Sequence, residues 1–393
     1  MAYLNAEKLE QILSRRIDTD ITEKTLIGAS CSVMCGEDRI CTVIKGVAHP
    51  ETLAPLREDH IFRLASMTKL LTVAGLLLLT EKIKLTFDTK ISKFFPGFKQ
   101  KWVAHADENN RIVFDKKSSV PITVHHLVTH TSGLGSGAAG DLQRERLSER
   151  QKATVGSIVD FYENEAVLDF EPGRAWGYSA LAAFDVMARI IELCSDMGFD
   201  EYLKKHIFEP IEASDMTFAP SDEQWSRMVA MHDCMDGKAV AANWGKKVLP
   251  NLPETYFCGG GGLVSSLGDY CNFVKMLMSG GIYKSRRVLS EQSVFAMGTA
   301  RLADKYPGLS SGISWGAGCM IYKNFPPLPA GCFGWSGAWG THMWVDPANN
   351  LGAVYMRNSA FSGGAGAATA RNFEKDVYSA LEITCPFQIS KLS

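Results

Sequence analysis

The chain has 393 residues, of which 46% are hydrophobic and 21% charged, so it is long enough to bury a large core. Its formal net charge of -2 at pH 7, without blocks of like charge, argues against nucleic acid or an anionic membrane surface as a partner. We therefore expect a small-molecule partner. The N-terminal residues lack the basic and apolar regions of an export signal, and no apolar run reaches membrane-spanning length, which predicts a cytoplasmic protein.

The predicted elements begin with a helix and two strands. Amphipathic spacing predicts a helix from Leu4 to Arg16, and alternation predicts a β-hairpin of strands 27–34 and 39–47. From Ser66 to about residue 270 helical patterns dominate. The predicted helices there are the run that starts at Ser66, Val155 to Glu165, Ala180 to Cys194, and Phe199 to Ile207.

After a helix over 267–278 the chain returns to strands. These are predicted at 318–322, 332–336, 342–345 and 352–357, before a closing helix over 367–381. Because both chain ends alternate and the middle does not, we predict an α+β fold, an α/β sandwich. One antiparallel sheet from both chain ends is flanked by terminal helices, with an inserted mostly helical lobe. The lobes of this single domain, 1–393, would be 1–65 with 271–393, and 66–270.

The ten cysteines and the paired histidines are candidate metal ligands. The cysteines have no C-x-x-C spacing, which favours reduced thiols, and Cys31 and Cys35 lie in an alternating, strand-like segment that favours the core. His126 and His130 have helical spacing without an H-E-x-x-H glutamate, so hydrogen bonding at a helix end is the better interpretation. We expect no metal site.

A candidate nucleophile stands at the start of the first long apolar helix. Ser66 and Lys69 form the one S-x-x-K match in the chain, and a helix would place the lysine one turn from the hydroxyl. Serine needs an adjacent base to attack a carbonyl, and a neutral lysine can be that base. The alternative is a helix N-cap at Ser66 followed by a solvated Lys69.

Tyr178 is the candidate partner of this pair. It follows the Pro172-Gly173 turn and precedes the apolar run 180–191, so it can project from a loop end into a cleft. A phenol beside a lysine ammonium can carry the serine proton to the leaving group. The alternative is a tyrosine of the core or of the cleft rim, because the chain holds 11 tyrosines.

Five sequence blocks in order resemble the class C β-lactamase and penicillin-binding-protein superfamily, most closely its family VIII carboxylesterases and related acyltransferases. The resemblance runs from about residue 5 to residue 382. The blocks are Ser66-x-x-Lys69, residues 126–134, Pro172-Gly173 before Tyr178-Ser179, residues 259–270, and residues 334–337.

This resemblance implies a β-lactamase/transpeptidase-like fold and a set of roles. Ser66 would be the acylated nucleophile, Lys69 its proton partner, and Tyr178 the general base and then the acid for the leaving group. The third motif, on the strand beside the nucleophile, would be Trp335-Ser336-Gly337, and these residues would bind the substrate. The backbone amides of Ser66 and Ala338 would then form the oxyanion hole.

Two departures from the superfamily pattern favour its esterase branch. The usual Lys-Thr-Gly reads Trp335-Ser336-Gly337, so the lysine that holds a substrate carboxylate is missing, and an indole favours an apolar group. The usual Tyr-x-Asn reads Tyr178-Ser179-Ala180, which removes an amide that would bind a β-lactam side chain. We expect Trp176, Trp335 and Trp339 to form an aromatic wall around the acyl group.

The sequence therefore predicts a serine hydrolase that cleaves carboxylic esters through an acyl-enzyme on Ser66, with water or an alcohol accepting the acyl group. Its partner would be a small-molecule ester, without nucleic acid, membrane, metal or organic cofactor. The motifs predict neither the acyl group nor the oligomeric state. Two alternatives stay open: a β-lactamase or D-peptidase of the same superfamily, and a catalytically silent binding protein on this scaffold.

Overall fold

The computed structural model describes residues 2–23, 26–148, 151–235, 238–242, 244–250, 252–360, 363–364 and 366–383. Its helices, α1 to α11, are Ala6–Thr22, Thr68–Thr80, Val124–Val128, Ala138–Glu145, Val155–Asn164, Ala182–Ser195, Phe199–Leu203, Asp222–Ser226, Leu267–Met278, Glu291–Gly298 and Ala368–Ser379. Its strands, β1 to β17, are Ala2–Leu4, Gly28–Cys35, Asp38–Gly46, Ile61–Arg63, Trp102–Ala106, Ile112–Lys117, His232–Met235, Lys238–Ala241, Val264–Ser266, Ile282–Tyr283, Arg286–Arg287, Ile313–Trp315, Met320–Tyr322, Phe333–Ser336, His342–Asp346, Leu351–Met356 and Leu381–Ile383.

The main sheet joins the two ends of the chain. Its seven strands have the order β12-β13-β14-β15-β16-β2-β3, and each is antiparallel to its neighbours. The two chain ends meet where β16 pairs with β2, with Tyr355 opposite Cys31. The predicted α+β fold, with one antiparallel sheet from both chain ends, is therefore confirmed. Sequence patterns missed β12, because three residues are too few to show alternation.

Helices cover both faces of this sheet, as the residues of β16 show. A Cβ atom on Gly352 would lie 2.6 Å from Val274 Cγ1 of α9. The ring of Tyr355 instead packs on Phe373 of α11, with 5.3 Å between centroids. Since successive strand residues point to opposite faces, α9 and α11 lie on opposite sides of the sheet. The terminal helices α1 and α11 also pack against each other.

Helix α2 runs through the interior and carries Lys69 of the Ser66-x-x-Lys69 motif. All its residues from Thr68 to Leu79 are buried, as expected for a helix that is apolar on every face. It packs closely on its neighbours, because a Cβ atom on Gly75 would lie 2.5 Å from Leu203 Cδ2. The helix predicted from Ser66 begins two residues later, and Ser66 lies in a short 3₁₀ turn, Ala65–Met67.

A short antiparallel ladder that the patterns did not predict brings two distant segments to the start of α2. Strand β4 pairs with β9, with Arg63 opposite Val264. The ladder continues in a hydrogen bond from Leu64 N to Leu263 O, at 3.0 Å. The glycine-rich segment 259–262 therefore ends beside the turn that holds Ser66.

The end of β14 also meets this turn. Gly337 N donates to Thr341 O at 2.8 Å, and Thr341 Oγ1 donates to Leu64 O at 2.8 Å. A Cβ atom on Gly337 would lie only 2.2 Å from Leu64 O and from Thr341 Oγ1. Position 337 therefore requires glycine for close approach, and its contacts hold the following residue, Ala338, near Ser66.

We predict that Gly337→Ala lowers the free energy of unfolding by about 1–3 kcal/mol, because the added methyl group forces apart two backbone segments. Gly268→Ala is the matched control. Gly268 lies in the first turn of α9, and a Cβ atom there would be 3.8 Å from the nearest atom, Arg39 Nη1. Urea unfolding followed by circular dichroism measures both. Wild-type stability of Gly337→Ala would contradict the close packing described above.

Candidate active site

The turn that carries Ser66 is held in a strained backbone conformation. Ala65, directly before it, has a φ of +46°, a region that residues with a Cβ atom rarely adopt. Such strain persists only where the surroundings impose it. Here two hydrogen bonds of Leu64 impose it: its N–H donates to Leu263 O, and its carbonyl oxygen accepts from Thr341 Oγ1. The half-buried Ser66 is thereby fixed at the floor of a cavity.

Lys69 is fully buried and reaches Ser66 from the first turn of α2. Its Nζ lies 3.1 Å from Ser66 Oγ, 2.6 Å from Ala180 O and 2.6 Å from Gly260 O. An ammonium group has three hydrogens to donate, and these three oxygens accept all of them. The alternative of a solvated Lys69 is therefore wrong.

Tyr178 joins the same group of side chains. The Lys69 Nζ lies 5.0 Å from the centroid of its ring, a cation–π contact. Its hydroxyl oxygen accepts a hydrogen bond from Trp335 Nε1 at 3.0 Å. Because the indole donates, the phenol hydrogen stays available for another acceptor. The structure thus brings Ser66, Lys69 and Tyr178 together, as the spacing of their motifs predicted.

The three predicted tryptophans fall into two groups. Trp335 and Trp176 belong to the cluster around Tyr178, in which Trp315 lies between them with centroid distances of 4.7 and 5.4 Å. Trp339 instead lines the cavity of Ser66 and packs edge-on against Trp244, at 5.0 Å. Sequence reasoning missed Trp315, whose strand is too short to show a pattern.

Ser336 has its side chain on the other face of the sheet. Its hydroxyl lies 2.8 Å from His342 Nδ1, and His342 Nε2 lies 3.2 Å from Glu374 Oε1 of α11. Strand residues alternate, so a strand that turns Trp335 towards Tyr178 must turn Ser336 away from it. Only the backbone of Ser336 can therefore face the substrate.

A cavity of about 520 Å³ opens beside Ser66. Both residues of the predicted oxyanion hole, Ser66 and Ala338, line it. Most of its wall is apolar, whereas charged side chains stand at its edge. The apolar and aromatic wall consists of Ile158, Tyr162, Leu181, Leu249, Leu252 and Tyr256, and the charged residues are Arg144, Glu145 and Lys152.

A buried carboxyl group supports two tyrosines of this wall. Tyr256 donates its hydroxyl hydrogen to Asp185 Oδ2 at 2.5 Å, and the Tyr162 hydroxyl lies 3.4 Å from the same oxygen. Burial raises the pKa of Asp185 to about 6, against the opposing effect of the Tyr256 hydrogen bond. No sequence pattern indicated this carboxyl group, which lies among the buried residues of helix α6.

Metal binding finds no support in the part of the chain described. There, no group of three or more His, Cys, Asp and Glu side chains is placed to hold a metal ion. His126 Nδ1 accepts a hydrogen bond from Thr123 N at the start of α3, which confirms its predicted role at a helix end. In the same described residues, no helix has both the length and the apolar character needed to cross a membrane.

We predict that Asp185→Asn changes how stability depends on pH. The pKa of Asp185 is higher in the folded protein than its ordinary value of 3.8, so folding favours the protonated carboxyl. Its contribution is therefore present below about pH 4 and is lost as the pH rises through about 6. Relative to Asp185→Asn, the wild type should lose about 2–3 kcal/mol of stability across this range. Urea unfolding at several pH values measures it, and a constant difference would contradict the prediction.

Comparisons with known proteins identify the family of this chain. The model of the family described as Beta-lactamase matches residues 13–375. Esterase EstB of Burkholderia gladioli is 26% identical over 398 residues, which cover 93% of this chain and 94% of the esterase. Acyltransferase calJ of Penicillium decumbens is 27% identical over 342 residues, which cover 78% of each chain.

A solved structure shows the same fold. EstCE1, described as a hydrolase with promiscuous acyltransferase activity, superposes with a TM-score of 0.80 at 20% sequence identity. The superposition covers 95% of this chain and 99% of EstCE1. The fold, the assembled motifs and the family match over residues 13–375 together show that this chain belongs to the β-lactamase family.

Proposed function

We propose that the protein is a serine carboxylesterase that hydrolyses small-molecule esters through an acyl-enzyme on Ser66 and can also pass the acyl group to an alcohol. The contact of the buried Lys69 Nζ with Ser66 Oγ, 3.1 Å, at the floor of a largely apolar cavity carries this proposal. The esterase EstB and the acyltransferase calJ, related over most of this chain, support it.

In the proposed acylation, Ser66 Oγ attacks the ester carbonyl as its proton leaves. All three hydrogens of the Lys69 ammonium have acceptors, so Tyr178 is the group better placed to take that proton. For this step Tyr178 must start as its phenolate, next to the Lys69 charge, and it becomes the neutral phenol when it takes the serine proton. Tyr178 then gives the proton to the leaving alkoxide, which departs as the alcohol.

The tetrahedral intermediate carries a negative oxygen that needs hydrogen-bond donors. We assign this role to the backbone amides of Ser66 and Ala338, which border the same cavity. Each such donor contributes about 10²–10³ in rate. Deacylation repeats the steps with water or an alcohol as nucleophile, and yields the free acid or a new ester. Ser66 is restored in both cases.

The position of Trp335 separates this site from one built for β-lactams. Its indole N–H is engaged with the Tyr178 oxygen, and an indole carries no charge to hold a substrate carboxylate. Neutral esters with apolar acyl groups therefore fit the cavity better than β-lactams or peptide C-termini. Nitrocefin turnover comparable with ester turnover would favour the β-lactamase alternative instead.

We predict that Ser66→Ala abolishes turnover of p-nitrophenyl esters and removes the acyl adduct that mass spectrometry locates on Ser66. Lys69→Ala and Tyr178→Phe should each lower kcat by about 10²–10⁴, since general acid–base catalysis is worth that much. Tyr283→Phe, in the short strand β10, is the matched control and should keep wild-type rates. Near-wild-type activity of any of the three catalytic variants, or failure of Ser66 to react with a phosphonate, would overturn the proposal.

We predict different effects for the two tryptophans that border the reaction. Trp335→Ala removes the hydrogen bond to Tyr178, so kcat should fall about equally for every acyl chain length. Trp339→Ala enlarges the cavity, so the preferred acyl chain should become longer while kcat for short chains stays similar. Steady-state kinetics with p-nitrophenyl esters of increasing chain length measure both. The reverse pattern would show that Trp335 is the residue that contacts the acyl group.

A further inference from the structure

We propose that His130 is a positioning residue that fixes Tyr178 for proton transfer. The inference rests on the proposed function, in which Tyr178 is the general base and acid. His130 belongs to the second sequence block, residues 126–134, to which the reaction assigns no role. It is fully buried and does not line the cavity of Ser66. Any effect on the reaction must therefore pass through another residue.

His130 forms hydrogen bonds with the residues directly before and directly after Tyr178. Its backbone oxygen accepts a hydrogen bond from Gly177 N at 3.0 Å. Its side-chain Nδ1 accepts a hydrogen bond from Ser179 N at 2.9 Å. Its ring also lies against the Tyr178 ring, with 4.6 Å between centroids and 32° between the planes. One residue thus contacts the catalytic tyrosine and both of its neighbours.

This arrangement requires one form of the imidazole. Because Nδ1 accepts from an amide, the single proton of the neutral ring lies on Nε2. Burial lowers the pKa of His130 well below its usual value, and the Lys69 charge adds to this effect. The ring therefore stays neutral at physiological pH. Nδ1 keeps its role as an acceptor.

The backbone of His130 is strained in the same way as that of Ala65. Its φ is +58°, in the left-handed region, where most residues other than glycine are destabilised by about 1 kcal/mol or more. This conformation directs the carbonyl and the ring to the two sides of Tyr178. Asparagine tolerates the left-handed region better than other residues with a side chain. Its Oδ1 also stands at the same distance along the side chain as histidine Nδ1.

Two substitutions separate the acceptor role from simple packing. His130→Leu keeps an apolar side chain but cannot accept from Ser179 N, whereas His130→Asn keeps the acceptor and tolerates the backbone. We expect His130→Leu to lower kcat by about 10²-fold with little change in KM, because a small misplacement of a catalytic group has that cost. His130→Asn should recover activity to within about tenfold of wild type.

The dependence of the rate on the leaving group distinguishes a positioning role from a general loss of structure. An alkyl ester needs a proton from Tyr178 as the alcohol departs, whereas p-nitrophenolate leaves without one. The loss in His130→Leu should therefore be larger for ethyl esters than for p-nitrophenyl esters with the same acyl group. Tyr178→Phe, measured in parallel, should show the same dependence. Circular dichroism and thermal unfolding establish that each variant is folded.

The outcomes distinguish the two proposals. Near-wild-type rates for Tyr178→Phe would overturn the proposed function itself. If Tyr178→Phe is impaired but His130→Leu is active, or loses the same factor on both kinds of ester, only the role of His130 is overturned. If His130→Leu does not fold, His130→Asn decides. A loss as large as that of Tyr178→Phe would then contradict the acceptor role.

Discussion

The burial of one ammonium group sets the requirements for the rest of the site. A charge placed inside a protein is destabilising by several kcal/mol unless hydrogen bonds replace its hydration. Lys69 is fully buried at the start of α2, and its Nζ contacts Ser66 Oγ and two backbone carbonyls. These three oxygens come from three separate segments of the chain. The fold must therefore bring all three segments together.

The glycine-rich segment 259–262 meets this requirement through close packing. The carbonyl oxygen of Gly260 accepts a hydrogen bond from Lys69 Nζ, and that of Gly259 accepts one from Thr72 Oγ1 at 2.7 Å. A Cβ atom on Gly260 would lie 2.5 Å from Ala180 O, the other carbonyl that binds Lys69. Side chains here would push both acceptors away from the ammonium. The glycines therefore serve the close packing that places both carbonyl acceptors at Lys69.

Elements long enough to show a sequence pattern could be predicted, whereas contacts between short elements could not. The repeated alternation at both chain ends predicted the main sheet, and motif spacing predicted Ser66, Lys69 and Tyr178. The three-residue strands β4, β9 and β12 carry too little pattern to be recognised, although the pairing of β4 with β9 leads into the turn that holds Ser66. Trp315 and Asp185 were missed because their contacts depend on how such segments meet in space.

The third motif shows how strand geometry limits what a motif can mean. Three consecutive residues, Trp335, Ser336 and Gly337, were all assigned to the substrate, yet a strand can turn only alternate side chains to one face. In the structure the Trp335 indole hydrogen-bonds to the Tyr178 hydroxyl, whereas the Ser336 hydroxyl hydrogen-bonds to His342. Gly337 contributes only its backbone, packed against Leu64. The alternation of strand side chains is by itself enough to exclude the Ser336 hydroxyl from the substrate side.

Tryptophan in place of lysine at position 335 affects both substrate recognition and the proposed proton transfer. A lysine at position 335 would offer a charge to a substrate carboxylate, whereas Trp335 offers its N–H to the Tyr178 oxygen. The indole thereby removes an anion site and adds a hydrogen bond that holds the Tyr178 oxygen. His130 contacts the same tyrosine through its ring, and it accepts hydrogen bonds from both neighbouring residues. In the proposed cycle Tyr178 both takes and returns a proton, so the contacts with Trp335 and His130 that hold its oxygen and its ring serve both steps.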